Sequence, residues 1–138
     1  MNLPIADRKV IGDATDSAIL RFTESMSPVA EIRSTWRSVF KIAFNSKNKF
    51  AINVVQSAAD ASPLLMIKGA PDVLLPRCAA YINGNGFVER LEQNDRRTLE
   101  STKDYWSSQG RRVILFARRP ADRCHCELDY HREYHDAQ

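Results

Sequence analysis

The sequence predicts an α+β fold, in which a mainly antiparallel sheet is flanked by helices. Apolar side chains recur at helical spacing over residues 14–26, and the segments on either side of residues 45–49 alternate apolar with polar positions. The later elements, a strand, helix, hairpin, helix and strand, do not alternate as a doubly wound fold requires. With 138 residues, of which 43% are hydrophobic, the chain is expected to form one domain with a sizeable core.

The first predicted element is the helix over residues 14–26, whose first turn Asp13 or Thr15 can cap. We interpret residues 1–8 as a leader, because continuous globular sequence begins at about residue 9. They are not expected to be a signal peptide, because they lack its apolar centre. No apolar run approaches the roughly 20 residues that span a bilayer. The chain by itself is therefore expected to be soluble and not to insert into a membrane.

Three strands are predicted next. Residues 39–44 and 50–54 form a hairpin, because its turn over residues 45–49 is rich in Asn, Ser and Lys. The third strand is the apolar run 64–67, which ends at Gly69.

The rest of the domain is predicted as helix, hairpin, helix and strand. Pro71 is placed to begin a short helix to about Cys78, which Pro76 should shorten or kink. A hairpin over 81–88 follows. Next come a helix over 93–108, which Gly110 ends, and a buried strand over 113–117. The core-facing residues expected on the long helix are Leu99, Tyr105 and Trp106.

Composition and charge bound the function only loosely. The chain divides into the leader, one domain over 9–119 and a polar, poorly ordered tail over 120–138. A net charge of +3 suits an anionic partner but is too small to demand nucleic acid. Three cysteines without a regular framework indicate a reducing compartment.

Several side chains at the ends of these elements are suited to holding a nucleotide. Phe44 lies beside a turn, where an aromatic ring can stay exposed, and a base stacked on such a ring gains roughly 1–3 kcal/mol. Lys49 and Lys68 can flank the base and reach toward phosphate, and Gly69 lets a ligand approach the backbone. Considered alone, Phe44 could equally well be a core residue. The two lysines, considered alone, could equally well be solvated side chains at the ends of strands.

Two further side chains complete this candidate set. Arg112 can pair with ribose or phosphate oxygens, although Arg111 is equally available by charge. Asp16 can accept a hydrogen bond from an adenine amino group, or can simply stabilise its helix N-terminus. Because the chain has neither a P-loop nor a Gly-x-Gly-x-x-Gly motif, a nucleotide is expected to be held by its adenosine end, with its terminal phosphate pointing outward.

Four segments carry a resemblance to a known family. They are Gly12-Asp13-Ala14-Thr15-Asp16-Ser17-Ala18, Phe44-Asn45-Ser46-Lys47-Asn48-Lys49-Phe50, Lys68-Gly69-Ala70-Pro71 and Gly110-Arg111-Arg112-Val113. Together they resemble the nucleotide-binding domain of P-type cation-transporting ATPases, in particular the sodium/potassium group, with a fungal character. The resemblance covers residues from about 9 to 117. Two positions depart from the family pattern: Asp16 stands for a glutamate, and Ala51 for a glutamine of the animal pumps.

This resemblance implies that the chain binds ATP, supplied as MgATP, without a dedicated magnesium site of its own. It implies that Phe44 stacks on adenine, that Lys49 and Lys68 line the base and phosphate side, and that Arg112 contacts the ribose-phosphate. It further implies partners in the parent pump, namely its phosphorylation and membrane domains, and a place on the cytoplasmic face of a membrane. Because the family's Asp-Lys-Thr-Gly-Thr signature is absent, no hydrolysis is expected of this chain alone. Because the family's nucleotide-binding domain begins well upstream of the segment at Gly12, this domain is expected to lack its first strands.

Two alternative functions stay open on the sequence. A metal-binding tail would use Cys124, Cys126, His131 and His135, although their spacing differs from that of zinc fingers. A nucleic-acid-binding module would use a basic set with an aromatic platform: Arg96, Arg97, Arg111, Arg112, Arg118 and Arg119 with Trp106 or Phe116. We expect no nucleic-acid partner, because the aromatic residues of this set fit core positions better and nearby acidic residues dilute the charge.

Overall fold

The computed structural model describes residues 13–59 and 62–121. The helices are α1 (Ala14–Met26), α2 (Val29–Thr35), α3 (Pro71–Leu74), which continues as a 3-10 turn (Leu75–Arg77), and α4 (Gln93–Ser108). The strands are β1 (Trp36–Ile42), β2 (Phe50–Ser57), β3 (Leu64–Gly69), β4 (Ala80–Ile82), β5 (Val88–Arg90) and β6 (Leu115–Pro120).

Four of these strands form one antiparallel sheet in the order β1-β2-β3-β6, while β4 and β5 pair separately as a small hairpin. The register aligns Ile42 with Ile52, Ile52 with Ile67, and Ile67 with Ala117, so an apolar row crosses one face of the sheet. The period-2 alternation of the sequence therefore sets which face is apolar. The predicted α+β fold with a mainly antiparallel sheet is confirmed.

Helix α1 has the predicted bounds, and its cap is Asp13. The Asp13 carboxylate accepts a hydrogen bond from the backbone N–H of Asp16 at 2.8 Å. That bond is the main reason why the pKa of Asp13 lies below its usual value, and the nearby charges of Lys68 and Arg112 lower it further. A negative charge at this position also suits the positive end of the helix dipole.

The segment between α1 and the sheet differs from the prediction. Helix α2 was missed, and β1 begins at Trp36 rather than at residue 39. The seven residues of α2 are too few to show a clear helical period, and they lead directly into the strand. The turn between the two helices is held by Glu24, whose carboxylate accepts a hydrogen bond from the backbone N–H of Val29 at 2.8 Å.

The C-terminal strand also differs in its bounds. Strand β6 runs from Leu115 to Pro120, because those are the residues that pair along the full length of β3, Gly69 opposite Leu115 and Leu64 opposite Pro120. Beyond it, the backbone N–H of Ala121 donates to the carbonyl of Pro63 at 2.8 Å. The predicted leader and the rest of the predicted tail lie outside the described residues.

Helix α4 lies less deeply in the fold than predicted. Leu99, Tyr105 and Trp106 were expected to face the core, but they are 42%, 62% and 42% exposed. Among the described residues, α4 is instead attached by polar contacts. The Arg96 guanidinium donates to the carbonyls of Leu75 at 2.7 Å and Cys78 at 2.5 Å, and the Lys103 ammonium group donates to Asp72 of α3. Polar side chains dominate this helix, so its sequence provides little apolar surface to bury.

The close contact between β3 and the β1–β2 turn positions the candidate site. A Cβ on Gly69 would lie 2.5 Å from the carbonyl oxygen of Lys49 and 2.7 Å from the Cβ of Phe50. In the space that glycine leaves, the backbone N–H of Ala70 donates to the same Lys49 carbonyl at 3.0 Å. Glycine is therefore needed at position 69 for the turn to pack against the end of β3.

This contact predicts the effect of Gly69→Ala. The added methyl group must displace backbone atoms of Lys49 and Phe50, so the free energy of unfolding should fall by about 1–3 kcal/mol. Urea denaturation measures the change. Gly84→Ala is the matched control, since no atom lies within 4 Å of its added Cβ. Equal stability of the two variants would show that the contact does not constrain the fold.

Candidate nucleotide-binding site

A cavity of about 660 Å³ opens at one end of the main sheet. Its walls come from the N-terminus of α1, the end of β1 with the following turn, the end of β3 and the segment before β6. All six residues that the sequence singled out line this one cavity: Asp16, Phe44, Lys49, Lys68, Gly69 and Arg112. Arg111, which charge alone could not separate from Arg112, is not among the lining residues.

Phe44 presents an aromatic ring to this cavity and is 60% exposed. It is held just before a turn organised by Asn45, whose carbonyl accepts the N–H of Lys49 at 2.8 Å and whose side chain accepts the N–H of Asn48 at 2.7 Å. These bonds form the turn that follows β1 and keep the ring beside it. Core packing, which the sequence left open for Phe44, is excluded.

Lys49 has an unusual backbone conformation. Its φ of 60° lies in the left-handed region, which non-glycine residues adopt at a cost of roughly 1–2 kcal/mol. The conformation is fixed by the two backbone hydrogen bonds of Lys49, one to Asn45 and one from Ala70. Its side chain is exposed and lines the cavity.

The N-terminus of α1 is attached to the opposite wall through two cations. The Lys68 ammonium group forms an ion pair with the Asp16 carboxylate, and Arg112 donates to the Thr15 hydroxyl at 2.6 Å. The side chains of Lys68 and Asp16 are 35% and 53% exposed, so water screens this pair. Asp16 thus lies in the cavity as predicted, but it is engaged by Lys68.

The charges around the cavity are unbalanced. Four cations line it, Lys41, Lys49, Lys68 and Arg112, against the carboxylates of Asp13 and Asp16, which leaves an excess of two positive charges. In the described part of the chain, the ammonium groups of Lys41 and Lys49 have neither a hydrogen-bond partner nor an ion-pair partner. The cavity therefore combines an exposed aromatic ring with unneutralised positive charge.

Sequence reasoning missed Lys41. This residue alternates with Phe40 and Ile42 along β1, so it lies on the face opposite to those apolar side chains. That face also carries Ala51 and Lys68, which are directly opposite each other in β2 and β3. Alternation along β1 places Lys41 on the face opposite to Phe40 and Ile42, but only the cross-strand register shows that this is also the face of Lys68.

A second cavity, of about 300 Å³, lies between α3 and α4 and has a different character. Lys103 lines it and donates to Asp72 at 2.7 Å and Asp104 at 2.8 Å, and these carboxylates raise the pKa of the lysine well above its usual value. With Glu100 also present, its charge is negative overall. It is therefore unsuited to an anionic ligand.

The two alternative functions gain no support from the described residues. The expected metal ligands Cys124, Cys126, His131 and His135 lie outside them, and within 13–59 and 62–121 no group of three or more His, Cys, Asp or Glu could hold a metal ion.

The basic set proposed for nucleic acid is divided in the structure. Arg96 is used to attach α4, and the neighbouring strand residues Arg118 and Arg119 point to opposite faces of β6. The expected burial of the aromatic members was wrong, since Trp106 is 42% and Phe116 is 58% exposed. They lie on different elements, α4 and β6.

Comparison with known proteins agrees with the motif assignment. The family described as "P-type ATPase, cytoplasmic domain N" matches residues 2–136. The chain is 35% identical over 133 residues to potassium-transporting ATPase alpha chain 2 of Cavia porcellus, covering 94% of this chain. It is 40% identical over 116 residues to sodium/potassium-transporting ATPase subunit alpha-A of Artemia franciscana. It is 41% identical over 116 residues to sodium/potassium-transporting ATPase subunit alpha-4 of Homo sapiens, and each of these two matches covers 83% of this chain.

The chain spans only 11–12% of the length of these relatives. In the described ranges, no helix is both long and apolar enough to cross a membrane. The fungal character suggested by the motifs stays a prediction. The family match extends over nearly the whole sequence, and the chain therefore belongs to the P-type ATPase cytoplasmic N domains.

Proposed function

We propose that this chain is an ATP-binding domain that presents ATP to a phosphorylation-site aspartate in another domain of a cation pump. The observation that carries the proposal is the convergence of six residues, from four separate segments, on one cavity. Its volume of about 660 Å³ lies within the range of small-molecule sites. The sodium/potassium type of transport is part of the same proposal. Of the three relatives reported above, two are named sodium/potassium-transporting and one potassium-transporting.

The adenine ring is proposed to stack on Phe44. An exposed aromatic ring beside a hydrogen-bonded turn offers a flat apolar surface, and stacking needs no rearrangement of the fold. Gly69 lines the cavity at the end of β3, and the Lys49 carbonyl and Phe50 occupy the space where its side chain would be. Its proposed role is therefore to position the turn beside Phe44 rather than to leave room for the ligand. For Asp16 to accept the adenine amino group, its carboxylate must share its bonding capacity with Lys68, which is possible because a carboxylate has two oxygens.

The polyphosphate is proposed to leave the cavity past the cationic side chains. Lys49 is available for it without breaking an internal contact, whereas Arg112 would exchange or share its bond to Thr15. These are side-chain charges rather than a nest of backbone amides, so they hold the phosphates loosely. A loosely held terminal phosphate is what transfer to an aspartate elsewhere in the pump requires, with magnesium arriving as MgATP.

The proposed affinity is weak, and hydrolysis by this chain alone is not proposed. One stacking contact and a few solvent-screened charges, less the entropy lost on binding, correspond to a dissociation constant of about a millimolar or a few tenths of it. The proposed location is the cytoplasmic face of a membrane-embedded pump, whose phosphorylation and membrane domains would be the partners.

Phe44→Ser tests the base contact. Loss of the stack should weaken ATP binding roughly five- to hundredfold, measured by isothermal titration calorimetry or by amide chemical shifts. Thermal stability should change little, because the ring is 60% exposed. Phe87→Ser is the matched control, since Phe87 is 69% exposed and lies outside the cavity. Arg111→Ser should also lower ATP affinity less than Phe44→Ser does.

The assignment of Phe44 fails if Phe44→Ser and Phe87→Ser bind ATP equally well. It also fails if Phe44→Ser unfolds the domain, because the ring would then be structural.

Lys49→Gly tests whether the lysine at this strained backbone position contributes to ATP binding at the expense of stability. Glycine adopts a φ of 60° without steric cost, so the free energy of unfolding should rise by up to about 1 kcal/mol. ATP affinity should fall about three- to tenfold, because an ammonium group is lost from the cavity. Urea denaturation and ATP titration measure the two effects.

Lys47→Gly in the same turn is the control, and it should gain no stability because its φ is not positive. A Lys49→Gly variant that is less stable than the parent, or that keeps full affinity, would contradict this role for Lys49.

A further inference from the structure

We propose that Lys41 is a specificity-determining residue of this site, whose ammonium group makes binding depend on the phosphate charge of the ligand. The inference rests on the proposed nucleotide function and deepens it. It concerns the class of ligand: because of Lys41, the site should bind nucleotides with a polyphosphate more tightly than the uncharged nucleoside.

The first support is where the sheet places Lys41. It pairs with Asn53 near the end of β1, and two residues further along the same face of β2 is Ala51, which is opposite Lys68. Lys41, Ala51 and Lys68 all line the cavity. Because the register of β1 against β2 is fixed by backbone pairing, the base of the Lys41 side chain is held at the wall of the cavity.

The second support is that Lys41 is available. Lys68 is paired with Asp16, and Arg112 donates to Thr15, so a ligand must compete with the N-terminus of α1 for these two cations. In residues 13–59 and 62–121 nothing bonds to the ammonium group of Lys41. A phosphate oxygen can therefore approach Lys41 without displacing a partner.

The third support is the charge of the whole site. The excess of two positive charges corresponds to Lys41 and Lys49, since the other two cations are matched in number by Asp13 and Asp16. An adenine ring and a ribose have no net charge and gain nothing from this excess. A triphosphate gains from both ammonium groups, so Lys41 should raise affinity in proportion to ligand charge.

The experiment titrates the full chain and its variants with ATP, ADP, AMP and adenosine at low and moderate salt. Lys41→Gln should weaken ATP binding about three- to tenfold, weaken AMP binding less and leave adenosine binding unchanged, and Lys41→Arg should retain ATP binding. The difference in ATP affinity between Lys41→Gln and the parent should shrink as the salt concentration is raised, because salt screens an exposed charge.

Lys47→Gln is the matched control, because it removes one lysine charge from the same hairpin at a residue that does not line the cavity. It should change ATP affinity by less than twofold. Equal losses for Lys41→Gln and Lys47→Gln would overturn the inference, since the effect would then be one of net charge. An unchanged ATP affinity in Lys41→Gln, or an equal loss of ATP and adenosine, would also overturn it.

The parent chain separates the two proposals. If it binds both ATP and adenosine while Lys41→Gln binds ATP normally, only the role of Lys41 is overturned. If the parent binds neither ligand, the proposed function fails and the role of Lys41 fails with it.

Discussion

The absence of a side chain at position 69 is the constraint on which the rest of the site depends. It lets the carbonyl of Lys49 approach the end of β3, where the N–H of Ala70 closes a hydrogen bond. That contact fixes the turn which holds Lys49 in its left-handed conformation and keeps Phe44 outside the core. An aromatic ring and two lysines, which belong to different strands and a turn, thereby come to share one cavity.

A second set of contacts sets the charge of that cavity. The acidic N-terminal turn of α1 is attached by Lys68 and Arg112, which compensates part of the positive charge and ties a helix to the sheet. The remaining excess is carried by side chains on the β1–β2 hairpin, on either side of Phe44. The site therefore combines internally paired cations with cations that stay available to a ligand, an arrangement suited to weak and reversible binding of an anion.

Short motifs identified residues that share one cavity more accurately than periodicity gave the bounds and burial of the elements. The six residues lie at strand ends, in turns and in the first turn of a helix, where local chemistry is distinctive, so short segments were enough to single them out. Helix α2 was missed because seven residues cannot establish a period, and Leu99 was placed in the core because periodicity reports a face without showing what covers it. Lys41 was missed because its role depends on cross-strand register, which no local pattern contains.

The most direct test of the account is a titration of the isotope-labelled chain with MgATP, followed by the amide chemical shifts. If ATP binds in the cavity beside Phe44, the shift changes should be saturable and concentrated at residues 44–49, 68–70 and 112–114, with little change along α4. Changes centred instead on the acidic cavity between α3 and α4, or no saturable change at millimolar ATP, would contradict the claim that the adenosine end of ATP binds beside Phe44.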